Sequence, residues 1–105
     1  DLVLDARFLP NPHWVPALRP QTGLAQPVSA YVLGQPDAGP FLEHALGLIG
    51  LIRPGYVREG KRHATVAIGC TGGKHRSTAL VEELARRLSE QGVRTEVVHR
   101  DLGLE

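Results

Sequence analysis

The stretch Ala64-Thr-Val-Ala-Ile-Gly-Cys-Thr-Gly-Gly-Lys-His-Arg-Ser77 decides the fold of this chain. Residues Ala64 to Ile68 are apolar or β-branched and read as a buried strand, and the glycines at 69, 72 and 73 read as a turn. A helix is predicted over Lys74 to Gln91, with apolar residues at Leu80, Val81, Leu84 and Leu88 on one face. Glu82/Arg86 and Glu83/Arg87 stand one turn apart on it, and Gly92 is placed to cap its C-terminus. Beyond the cap, Arg94 to Val98 predicts another strand, so residues 64 to 98 read as one βαβ unit with a right-handed crossover. At the start of the chain, Asp1 to Asp5 predicts a further strand, and the contiguous Leu2, Val3 and Leu4 suggest cover on both faces. The expected fold class is α/β: a small three-stranded parallel sheet in a single domain over residues 1–105, with a long ordered Pro-rich loop.

That loop follows the first strand. Seven of the 8 prolines fall at 10, 12, 16, 20, 27, 36 and 40, which leaves little regular structure up to about Gln26. Roughly 20 irregular residues inside a compact domain point to a functional segment, and Trp14, Leu18 and Leu24 suggest packing onto the domain. Val28 to Leu33 predicts a helical turn or two. Asp37 reads as the N-cap of an apolar helix running through Phe41 to Ile52, which Pro54 and Gly55 kink or end. Gly47 and Gly50 within it suggest close backbone approach.

The chain has 105 residues, a formal net charge of +1 and 42% hydrophobic residues, the make-up of one small globular domain. No stretch approaches the roughly 20 apolar residues of a membrane helix, and Asp1 to Arg7 lack the basic start and apolar core of a signal peptide. The expected location is cytoplasmic, away from membranes. A single Cys excludes an internal disulfide framework. The near-neutral balance argues against a wholly basic nucleic-acid binder, so an anionic partner has to be met locally.

Chemistry concentrates in Gly69 to Ser77. A strand running into a helix through glycines places consecutive N–H groups and the positive helix end where a phosphate can sit. Lys74, His75 and Arg76 add cationic donors, and Thr71 and Ser77 add hydroxyls. The bland alternative, a tight turn with exposed charges, needs one glycine and has no use for the rest. A Walker loop does not fit: Gly69 and Gly73 are separated by three residues instead of four, and His75 stands where Ser or Thr would hold magnesium. A cysteine phosphatase loop does fit in spacing, from Cys70 through Arg76 to Ser77, with Cys70 as nucleophile and Arg76 as phosphate clamp. Against it, Gly69 replaces the His that usually precedes such a Cys, and the candidate acids Asp37 and Asp101 lie in no recognisable acid loop.

In a parallel sheet, ligands bind at the C-terminal strand ends. This brings Arg7, Asn11 and His13 beside the loop residues Thr71, Gly72, Gly73, Lys74, His75, Arg76 and Ser77, together with His99 and Arg100. The loop amides with Arg76 are expected to hold a phosphate, while Asn11, His13 and His75 meet hydroxyls or an amine. Asp5 is expected to orient Arg7, and Asp101 to do the same for Arg100. No metal site is expected, because Cys70 and His75 are the only near neighbours of ligand type and no second pair accompanies them. No cofactor is expected in this chain. His44 reads as a packed or edge histidine and His63 as exposed.

Four strings carry a resemblance: Asp-Ala-Arg-Phe-Leu-Pro-Asn-Pro-His-Trp (5–14), Leu-Arg-Pro-Gln-Thr-Gly-Leu (18–24), Val-Ala-Ile-Gly-Cys-Thr-Gly-Gly-Lys-His-Arg-Ser (66–77) and His-Arg-Asp (99–101). In this order they resemble the C-terminal domain of the RapZ/YvcJ family of bacterial RNase adapters and nucleotide-binding proteins. Members of that family carry an N-terminal P-loop domain that has no counterpart in these residues, so ATP or GTP binding is not carried over. The resemblance implies a non-enzymatic domain that senses glucosamine-6-phosphate and interacts with a structured small RNA and a protein partner, and association into an oligomer is compatible with it. Relatives often end in a basic cluster after the His-Arg-Asp string, whereas Leu102-Gly-Leu-Glu105 has no cation. RNA contact would therefore fall to dispersed cations: Arg53, Arg58, Lys61, Arg62, Arg86, Arg87, Arg94 and Arg100. Five aromatic residues without a stacking pattern argue against single-strand base readout.

Overall fold

A computed structural model describes residues 1–103. The β-rich segments at both predicted positions pair: strand β1 (Leu2–Asp5) lies parallel to strand β2 (Val66–Gly69), in the register Leu2 with Val66 through Asp5 with Gly69. Between them run a single 3-10 turn (Pro12–Trp14), helix α1 (Gln26–Leu33) and helix α2 (Ala38–Arg58), and β2 is followed by helix α3 (Arg76–Glu90). The class is α/β, with a two-stranded parallel sheet and three helices.

The third strand expected at Arg94–Val98 does not form, and the predicted βαβ unit of residues 64 to 98 is a strand, a helix and an unpaired return. The reason lies in how that return is held. Gly92 (φ +81°) turns the chain out of α3 through two bonds, Gly92 N–H to the Ser89 carbonyl and Val93 N–H to the Leu88 carbonyl. Beyond it the chain is tied to α3 by side chains: Thr95 Oγ1 lies 3.4 Å from Ser89 Oγ, and His99 Nε2 donates to Glu82 Oε1 at 2.8 Å. Val97 and Val98 are adjacent, so they cannot both face a core, and Val98 is 75% exposed.

The two strands are also not covered on both faces. Leu2, Leu4, Val66 and Ile68 pack against the core, while Val3 is 79% exposed and Ala67 is exposed. The core lies on the inner side, built from Val28 and Val32 of α1, Leu42, Ala45 and Ile49 of α2, and Leu80, Leu84 and Leu88 of α3, with Leu9 and Leu18 from the loop. Burying these side chains supplies most of the driving force, at roughly 1.5–3 kcal/mol for each large one.

Pro27 lies in the first turn of α1, where its missing N–H costs nothing. Asp37 occupies the N-cap of α2 without a side-chain capping bond, and α2 runs on through Pro54 to Arg58. Gly47 and Gly50 mark no close approach: both are exposed, and a Cβ on either would meet nothing within 4 Å. In the Pro-rich segment Leu18 is buried, but Leu24 is 56% and Trp14 74% exposed, with Trp14 edge-on to His13 rather than packed on the core. Among the described residues, no helix is long and apolar enough to cross a membrane.

Candidate functional site

Strand β2 ends at Gly69 and α3 begins at Arg76, so six residues must turn the chain from sheet to helix. Gly72 (φ +80°) and Gly73 (φ +68°) do this with two consecutive left-handed conformations that side chains disfavour. Among the described residues, no acceptor lies in hydrogen-bonding geometry with the N–H groups of Thr71, Gly72 or Gly73. Thr71 and Gly72 are exposed and Gly73 half-buried, so these donors stand at the surface at the positive end of α3. The Lys74 side chain meets no carboxylate within salt-bridge distance among the described residues.

The rest of the loop is tied down by groups that are buried although polar. His75, Arg76, Ser77 and Thr78 are all at most 6% exposed. Thr78 Oγ1 donates to the Gly73 carbonyl at 3.2 Å, and His75 Nε2 donates to the Arg19 carbonyl at 3.2 Å. Arg76 reaches back to the end of β1, where Nη1 donates to the carbonyls of Arg7 (3.0 Å) and Leu9 (2.9 Å); its Nε is buried without a partner. The Cys70 thiol donates to Ser77 Oγ at 3.2 Å, and its sulfur accepts the Ser77 N–H at 3.4 Å. From the Pro-rich segment, the Gly23 N–H donates to the Lys74 carbonyl at 2.8 Å. A Cβ on Gly23 would overlap the His75 carbonyl and lie 2.6 Å from the Ala79 nitrogen, so only glycine fits there.

Two Asp–Arg pairs flank the loop. Arg7 forks onto Asp5 (Nε–Oδ2 2.9 Å, Nη2–Oδ2 2.7 Å), and both stand beside Gly69, Cys70 and Thr71 around an open depression at the strand ends. Hydrogen bonds from Arg7 hold the Asp5 carboxyl down to about 2, so it is ionised under ordinary conditions. On the other side, Arg100 Nε and Nη2 reach Asp101 Oδ1 (3.0 Å) and Oδ2 (3.2 Å), which keeps that carboxyl below its usual range. Asp101 lies directly on the loop: a Cβ placed on Gly73 would be 2.8 Å from Asp101 Oδ2 and 3.0 Å from Asp101 Cβ.

Of the residues expected at the site, Thr71 to His75 form the turn and Arg76 and Ser77 open α3, Arg7 stands at the edge of the turn and Arg100 is held near it through Asp101. His13 is exposed, and its carbonyl accepts from Arg19 Nε at 2.7 Å. Asn11 caps the short 3-10 turn, its Oδ1 accepting the His13 N–H at 3.0 Å. Arg19, Gly23 and Thr78 were not singled out. Only Gly23, in the Thr-Gly pair 22–23, carried a local signal.

The chain belongs to the RapZ C-terminal domain family, which it matches over residues 1–103. A nucleotide-binding protein of Streptomyces coelicolor is 65% identical over all 105 residues, and one of Streptomyces avermitilis is 64% identical over the same length. A nucleotide-binding protein of Cutibacterium acnes is 60% identical over 105 residues. The chain spans 35% of the length of the two Streptomyces relatives and 36% of the third.

Proposed function

We propose that this chain is the ligand-sensing and interaction domain of a RapZ-like RNase adapter, and that it holds a small phosphorylated ligand on the loop from Gly69 to Ser77. The single observation that carries this reading is the set of N–H groups at Thr71, Gly72 and Gly73, without an acceptor among the described residues and gathered at the start of α3 beside Lys74. Phosphate oxygens satisfy such donors and gain from the helix end. Arg7 and Arg100 stand at the two edges, each already paired with its own aspartate, and Arg76 supports the loop from beneath. The family resemblance names glucosamine-6-phosphate as the ligand; its hydroxyl or amine contacts fall to Asn11 and His13, while His75, expected to join them, is buried with its Nε2 committed to the Arg19 carbonyl.

The nucleotide binding in the relatives' names belongs to proteins about three times as long, and this loop departs from the Walker pattern, so we do not assign it to these residues. For RNA the contribution is electrostatic. Lys61, Arg86, Arg87 and Arg100 are engaged in ion pairs, which leaves Arg53, Arg58, Arg62 and Arg94, all exposed, as the cations for phosphate contact.

A cysteine phosphatase is favoured by one observation, the Ser77 N–H donating to Cys70 Sγ with the thiol in turn donating to Ser77 Oγ. It is disfavoured by Arg76, whose Nη1 is committed to two main-chain carbonyls instead of facing the loop. Calorimetric titration of glucosamine-6-phosphate into wild type and Cys70→Ser tests the choice. Retained binding in Cys70→Ser with no phosphate release by either protein is expected; turnover abolished by that substitution would make the chain an enzyme, and no binding to wild type would remove the sensor.

A further inference from the structure

Trp14 is the one tryptophan of the chain, and the fold makes little use of its ring. It is 74% exposed, and it meets His13 edge to face with the ring centroids 5.2 Å apart, which leaves most of the indole in solvent. The backbone beneath it is nonetheless held. Asn11 accepts the His13 N–H on Oδ1 at 3.0 Å and the Trp14 N–H on its carbonyl at 3.1 Å, and the Val15 N–H donates to the Pro12 carbonyl at 2.9 Å. Pro12 and Leu18 are buried on either side. A large aromatic presented on backbone that is already ordered is the form of a binding anchor, because little further freedom is lost when a partner covers it.

An exposed ring alone does not name its partner; the charge around it does. Arg19 Nε donates to the His13 carbonyl at 2.7 Å, the peptide group that leads directly into Trp14. Arg19 is exposed, its Nη groups make no hydrogen bond and no carboxylate stands within salt-bridge distance of it among the described residues. None of the 11 Asp and Glu of the chain falls between Asp5 and Asp37. This segment is therefore complementary to an anion that also carries a flat apolar face. An acidic peptide offers the charge without the face, whereas a nucleotide unit offers both, a base for the ring and a phosphate one sugar away for the cation. Scattered aromatic residues do not make a base-reading platform, but stacking a single unpaired base needs one ring. We infer that Trp14 is a stacking seat for one unpaired base of a single-stranded RNA segment, with Arg19 on the adjoining phosphate. This rests on the RNA contact proposed above and adds to it a contact that is not electrostatic.

The fluorescence of Trp14 reports on the seat directly. The full chain is titrated with a uridine oligomer of about ten nucleotides, with an abasic oligomer of the same length and with uridine monophosphate, and the affinities of both oligomers for wild type and Trp14→Ala are read by anisotropy. The uridine oligomer should quench Trp14 saturably and bind wild type about tenfold more tightly than the abasic one; Trp14→Ala should lose that preference while its affinity for the abasic oligomer stays unchanged. A purely structural role would weaken both oligomers in parallel, so a preference that survives in Trp14→Ala overturns the inference, as does tight binding of the uridine oligomer without quenching. Quenching by uridine monophosphate as strong as by the oligomer, at equal nucleotide concentration, overturns it in favour of a free nucleotide. If wild type binds neither oligomer, it is the RNA contact itself that fails.

Discussion

His75, Arg76, Ser77 and Thr78 are polar and buried at the start of α3, whereas Leu48, Leu51 and Val57 are apolar and exposed along the outer half of α2. Both regions invert the usual partition, for different reasons. At α3 the loop and the β1 end offer carbonyls and a thiol that take up these donors, Arg76 Nε excepted, and burying a polar group costs little where its bonds are made. Along α2, Leu51 at 77% and Val57 at 72% exposure contribute almost nothing to holding the domain together. Exposure thus separates residues the fold depends on from residues it tolerates, whatever their polarity.

Two substitutions sharpen that contrast. Arg76→Ala should have the larger effect, destabilising the domain by about 3 kcal/mol, because it strips the donors from the Arg7 and Leu9 carbonyls and leaves a cavity. Urea denaturation followed by circular dichroism reads this directly; a loss below about 1 kcal/mol would mean the bridge to β1 is not what holds the loop. Leu51→Lys should be nearly silent, within about 0.5 kcal/mol in the same measurement. A large loss there would mean that the outer face of α2 is covered, which would break the comparison.

How much of this could be read beforehand follows the range of each interaction. The strand, loop and helix from residue 66 to 90 were legible because β-branching, glycines, apolar spacing and the Gly92 cap are all local signals. The same is true of the Asp5–Arg7 and Arg100–Asp101 pairs, whose partners are one or two residues apart. Arg94–Val98 reads as a strand and is not one, because strand propensity says nothing about whether an edge is within reach. The apolar Leu2-Val3-Leu4 run suggested two covered faces where only one has a neighbour. Arg76 drew attention as an anion donor, but its bonds to Arg7 and Leu9 cross 69 and 67 residues of sequence, and no local pattern announces them. The seat of Asp101 on Gly73 was hidden in the same way, since it depends on the path of the return after α3.

The central claim is that the amides after Cys70 receive an anion. Amide-resolved nuclear magnetic resonance during titration with glucosamine-6-phosphate addresses it residue by residue. The account predicts that the largest saturable shifts fall on the N–H groups of Thr71, Gly72 and Gly73, with smaller ones at Arg7 and Asp101. Saturable shifts centred on α2 or on the Asn11–Trp14 turn, with the loop amides unmoved, would contradict it.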